Sequence, residues 1–149
     1  MRKLKVYLDN CCFNRPYDDQ KHLKIELETK AKLFIQSLVV KKEIDLVWSY
    51  MLDYENSKNI SKQKSEAIQR WQKLAIEDVD FNSEINRMSN AIQKKGIKNA
   101  DAIHVACAIY AVCDYFISVD KQLLKYPTNK IIICDPIEFL RAWEVEDNE

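Results

Sequence analysis

Short apolar runs alternate with longer segments of helical periodicity along the chain, and this alternation constrains the fold more than any other feature. Residues 4–8, 44–48, 76–81, 115–119 and 131–134 have the length and β-branched or aromatic content of strands. Between them, apolar residues return at helical spacing, as Leu23, Leu27, Ala31, Phe34, Ile35 and Leu38 do within 22–40. That face is expected to pack on the sheet. Further helices are predicted over 50–57, 67–75, 85–92, 100–113, 121–124 and 136–143. The segment 14–19, Asn-Arg-Pro-Tyr-Asp-Asp, reads as a loop after the first strand. Repeated strand–helix–strand units imply an α/β domain: a mostly parallel sheet with helices on both faces, because right-handed crossovers lay each helix over the strands it joins.

A chain of 149 residues with one Gly and three Pro fits one domain and leaves little room for linkers or a turn-dense all-β fold. We assign residues 1–143 to a single domain and 144–149 to a frayed acidic tail. Gly96 is expected to terminate the helix that precedes it. The segment 76–81 alternates apolar with acidic residues, which suits an edge strand. Lys and Arg total 23, as do Asp and Glu, so no global field draws in nucleic acid or membrane. Five Cys without a C-x-x-C pair point to a reducing cytoplasm and to thiols that pack as small hydrophobes. Cys11 and Cys12 lack the partners a zinc site requires. The basic amino terminus reaches Asp9 before any signal-type apolar region forms, and no apolar stretch is long enough to span a bilayer, so a soluble protein is expected.

Four acids stand where apolar runs stop or helices begin: Asp9, Glu55, Asp101 and Asp120. In a parallel sheet the carboxyl ends of the strands share one rim, so such residues can converge on one cleft. Carboxylates that close repel one another unless protons or a cation hold them, and oxygen donors suit a hard divalent ion, Mg²⁺ or Mn²⁺. Each acid also has a plain structural role available. Asp9 and Asp120 can cap helices, and Asp135 before Pro136 is better explained that way. Asp101 is harder to dismiss, because its helix otherwise avoids polar groups and a desolvated carboxylate is costly. Asp53 competes with Glu55, and spacing does not choose between them. His104, one turn beyond Asp101, reads as a packed histidine hydrogen-bonded beside the acids.

Val6-Tyr7-Leu8-Asp9-Asn10, Glu55, Asn99-Ala100-Asp101-Ala102-Ile103-His104-Val105-Ala106 and Ser118-Val119-Asp120 together resemble a PIN-domain nuclease. The segment 14–19 is similar to a stand-alone bacterial branch of that family, akin to the VapC-type toxin ribonucleases. The resemblance covers nearly the whole chain. It implies a three-layer α/β/α sandwich with a five-stranded sheet in order 3-2-1-4-5. It also selects Glu55 over Asp53 and makes Asp9, Glu55, Asp101 and Asp120 the catalytic and metal-binding quartet. Asn10 and Ser118 are placed beside them as supporting groups. Asn10 and Cys11 depart from the small hydroxyl residues that many members carry after the first acid, and Lys121 and Gln122 stand where further acids often occur.

The activity implied is Mg²⁺- or Mn²⁺-dependent hydrolysis of RNA to a 5′-phosphate and a 3′-hydroxyl, in many members as the toxin of a toxin–antitoxin pair. A cognate antitoxin and a homodimer are the expected partners, with no membrane. A divalent ion offsets the charge of the phosphodiester and of its leaving oxygen, and acidifies the attacking water. Arg15 and Lys98 are candidates for contacting phosphate. The alternative is a catalytically weak PIN-like module that binds RNA or protein. A receiver-like phosphotransfer domain is disfavoured by the lack of an Asp-rich first strand, and P-loop chemistry by the lack of a Gly-rich loop.

Overall fold

A computed structural model describes residues 2–147. Five strands form one sheet: β1 (Lys5–Leu8), β2 (Asp45–Ser49), β3 (Glu77–Val79), β4 (Tyr115–Ile117) and β5 (Ile132–Cys134). Every pairing is parallel and the order is β3-β2-β1-β4-β5, as the resemblance implied. β1 is central, with Tyr7 opposite Val47 on one side and Phe116 on the other. Val6, Tyr7 and Leu8 are all fully buried, so both faces of the sheet are covered.

The helices are α1 (Asn10–Asn14), α2 (Leu23–Val40), α3 (Tyr50–Ser57), α4 (Lys62–Gln69), α5 (Ser83–Gln93), α6 (Asn99–Tyr110), α7 (Lys121–Leu124) and α8 (Pro136–Asp147). α2 packs against α8, and α5 against α6. Right-handed crossovers put these two pairs on opposite faces, which gives the three-layer sandwich. α6 is buried along Ala102 and His104–Ala108, as a helix so poor in polar residues requires. Stacked Tyr7 and Phe116 rings, 5.3 Å apart, fill the space beneath it. β3 lies at the sheet edge, with Val79 buried and Asp78 and Asp80 exposed. Gly96 follows α5 at φ +96°, a conformation that side chains with a Cβ rarely adopt.

Four expectations change. The segment after β1 is not a loop throughout: Asp9 caps α1, Cys12 and Phe13 bury themselves, and a 3₁₀ turn continues through Arg15–Tyr17. The helix expected over 67–75 begins earlier, at Lys62 behind a Ser61 cap, and ends as a 3₁₀ turn over Arg70–Leu74. α8 runs on to Asp147, so residues 144–147 are helical rather than tail, while 148 and 149 lie outside the described residues.

The fourth change is the rotation of α2. Leu23, Leu27 and Phe34 are exposed, whereas Glu28, Ala31, Lys32, Ile35, Gln36 and Leu38 are buried. Two of these long polar side chains have partners, whereas the Gln36 Nε2 has none among the described residues. One Glu28 oxygen, Oε1, accepts from both Nε and Nη2 of Arg15, at 3.1 and 2.8 Å, and the Lys32 ammonium lies 5.7 Å from the Phe13 ring centre.

Candidate metal centre

Asp9 leaves the carboxyl end of β1 and caps α1, with Oδ1 accepting the Asn10 N–H at 2.8 Å. Its other oxygen, Oδ2, accepts the Ser118 hydroxyl at 2.8 Å and the Cys11 thiol at 3.4 Å. Cys11 thus takes up a contact that a hydroxyl at its position would make. Ser118 is buried just beyond β4, and its oxygen accepts the Asp120 N–H at 3.0 Å, so one serine ties the ends of two neighbouring strands together. Asp120 caps α7 through Oδ1, at 2.8 Å from Gln122 N and 3.3 Å from Leu123 N. Its Oδ2 has no protein partner among the described residues.

Glu55 and Asp53 share α3 but point to different tasks. Asp53 accepts the Trp48 indole N–H at 2.9 Å and the Gln69 amide at 2.6 Å, which occupies it structurally. Glu55 instead meets the Nε2 of His104. His104 is fully buried, its Nε2 is 3.9 Å from Asp9, and its Nδ1 is 2.6 Å from the Tyr7 hydroxyl. Ligand atoms of Asp9, Glu55 and His104 all lie within 4.8 Å of one another. Asp135 caps α8, as expected, with Oδ1 2.8 Å from Glu138 N.

Asp101 sits in the first turn of α6. Burial, together with the charges of Asp9, Asp120 and Glu55, pushes its carboxyl up to about 6, against a smaller downward pull from His104. Asp101 therefore lies within electrostatic reach of each of the other three acids. Burial pushes the His104 pKa down, but the hydrogen bond it donates to Glu55 and the charges of Asp9, Glu55 and Asp101 outweigh it, and the net shift is upward. Among the described residues no Lys or Arg lies within hydrogen-bond reach of these acids, so His104 is the one basic side chain beside them.

The donor set fits a hard divalent ion. It is oxygen-rich, carries excess negative charge, and adjoins Asn10, whose buried Oδ1 finds no partner. Arg15 lies in the segment after β1, where Glu28 and Asp18 pair with its guanidinium and it anchors the turn after α1 to α2. Lys98 is exposed immediately before α6. The sequence placed His104 beside the acids correctly, from its spacing to Asp101. Nothing in the sequence singled out Tyr7 or Ser49.

No protein-family model matches the sequence, and no curated protein matches it. Solved structures do. FitAcB from Neisseria gonorrhoeae is 14% identical with a TM-score of 0.56, over 89% of this chain and 98% of that one. VapBC2 from Rickettsia felis, bound to a DNA fragment from their promoter, is 17% identical with a TM-score of 0.53, over 87% and 97%. DNA-bound VapBC from Salmonella typhimurium is 14% identical with a TM-score of 0.54, over 89% and 98%. With this sheet order, and with Asp9 and Asp120 both just beyond the carboxyl ends of adjacent strands, the chain has the PIN-domain fold.

Proposed function

We propose that this protein is a Mg²⁺- or Mn²⁺-dependent endoribonuclease and the toxin of a toxin–antitoxin pair. The observation that carries the reading is geometric: in a fold shared with the VapBC structures, ligand atoms of Asp9 and Glu55 lie within 4.8 Å of one another, and the charges of Asp9, Asp120 and Glu55 all act on Asp101, an excess of negative charge that a divalent cation would relieve. Asp9, Glu55, Asp101 and Asp120 would hold the ion, with Asn10 and Ser118 supporting Asp9. When bound, the ion supplies charge to neutralise the phosphodiester and acidity for the attacking water. Ser118 and the Asn10 N–H keep the Asp9 carboxylate in one orientation, and Lys98 lies exposed at the start of α6, where it can contact a phosphate. Hydrolysis would leave a 5′-phosphate and a 3′-hydroxyl.

The neighbouring VapBC structures are of two-component complexes, which supports an antitoxin as partner, and a homodimer is the assembly expected of the toxin. Leu23, Leu27, Leu33 and Phe34 leave apolar surface on α2 uncovered, which supports a protein partner of either kind. The test is cleavage of mixed RNAs with Mn²⁺ or Mg²⁺, beside an Asp9→Asn, Asp101→Asn double variant. Cleavage by the wild type alone, abolished by chelator, is expected. Equal cleavage by both proteins excludes the acids as the catalytic site. Because two of the neighbouring complexes are bound to DNA, single-stranded DNA runs alongside, and cleavage of DNA alone overturns the RNA assignment.

A further inference from the structure

Behind the carboxylates lies a hydrogen-bonded chain that the proposed reaction does not use. The Tyr7 hydroxyl is 2.6 Å from Ser49 Oγ on one side and 2.6 Å from His104 Nδ1 on the other. All three residues are fully buried. The Ser49 oxygen also accepts the Leu52 N–H, at 3.3 Å, as the cap of α3, the helix that carries Glu55.

Counting hydrogens gives the chain a direction. An ionised Glu55 only accepts, so the hydrogen between it and His104 belongs to Nε2. In the neutral ring Nδ1 is then an acceptor, Tyr7 must donate to it, and Ser49 must donate to Tyr7. Solvent exposure separates the roles as well. The Glu55 side chain is 28% exposed and that of His104 0%, so an ion arriving from solvent meets carboxylates first. Both ring nitrogens already have partners.

We propose that Tyr7 and Ser49 are positioning residues of the cation site: they fix His104 as an Nε2–H donor, and His104 holds the Glu55 carboxylate in place while staying outside the coordination sphere. The inference rests on the reading that Asp9 and Glu55 hold a divalent ion. Outer hydrogen bonds of this kind typically change metal affinity by about 10–100-fold.

The test uses the full chain. Long-range ¹H–¹⁵N correlation of the Mg²⁺-loaded protein is expected to show His104 protonated at Nε2 with Nδ1 as acceptor, and a ring protonated at Nδ1 alone overturns the proposal. Pulsed EPR of bound Mn²⁺ is expected to show no directly ligated imidazole nitrogen. Tyr7→Phe, with its fold checked by circular dichroism, is expected to bind Mn²⁺ about tenfold more weakly, and unchanged affinity overturns the proposal. If that variant fails to fold, the two wild-type spectra still decide the matter. Wild type that binds no Mn²⁺ overturns the cation reading itself. Bound Mn²⁺ with a ligated nitrogen overturns only the positioning role.

Discussion

Replacing Asp101 with Asn should make the metal-free protein more stable while removing its response to divalent ions. Burial first, then Asp9 and Asp120, push the Asp101 carboxyl from 3.8 to about 6. At about 1.4 kcal/mol per pH unit this shift corresponds to about 3 kcal/mol against the ionised form, and partial exposure reduces it to about 2 kcal/mol. The sign follows from proton counting. Between pH 4 and 6 the folded chain retains a proton that the unfolded chain has released, so stability falls as pH rises through that window and stays lower above it. At pH 7.5 Asp101→Asn should therefore raise the melting temperature of the metal-free protein by about 6 °C. Mn²⁺ should raise the wild-type melting temperature and leave that of the variant unchanged. Thermal denaturation at pH 4.5 and 7.5, with and without Mn²⁺, is the assay. A variant less stable than wild type at pH 7.5 without metal would refute the electrostatic account.

Arg15→Ala leaves the buried Glu28 carboxylate unpaired and should cost about 2–4 kcal/mol in urea denaturation, with part recovered by adding Glu28→Gln. Lys32 is held down to about 8 by burial, so the unfolded chain binds the extra proton between pH 8 and 10.5 and stability should rise across that range. Lys32→Met should accordingly gain about 2 kcal/mol at pH 7, measured in the same way. Val112 follows α6 at φ +57°, and Val112→Gly should stabilise by about 0.5–1 kcal/mol despite glycine's chain entropy. Asp120→Asn keeps the cap of α7 and should melt near wild type without metal, whereas Asp120→Ala should lose about 1 kcal/mol. Both should weaken the Mn²⁺-induced shift.

The layers were legible because apolar periodicity survives any detail of packing, whereas the strand order followed from the family resemblance and not from the pattern. The rotation of α2 was not, since a helical wheel places Glu28, Lys32 and Gln36 on the solvent side and only Arg15 and Phe13 draw the first two inward. The helix after β1 was hidden by the turn residues that follow it, although Asp9 is a cap in either reading. The positions of Asp9 and Asp120 just beyond strand ends and of Asp101 in the first turn of α6 were legible from the pattern, although Asp9 and Asp120 also read as helix caps, which they are. Glu55 could not be separated from Asp53 by pattern, because the choice is made by Trp48 and Gln69 occupying Asp53 and by His104 facing Glu55. Tyr7 read only as a core aromatic. Its hydroxyl becomes informative once the crossover brings α6 over β1.

The same atoms serve fold and site. Asp9 caps α1 with one oxygen and Asp120 caps α7 with one, so each carboxylate is oriented before any ion arrives and Asp120 keeps a second oxygen free. Local structure thus orients two carboxylates of the candidate site, while burial first, and then the charges of Asp9, Asp120 and Glu55, raise the Asp101 pKa. Glu55 has no backbone cap. It depends on His104, and through it on Tyr7 and Ser49, which explains why the acid least defined by sequence is the one held by the longest side-chain network.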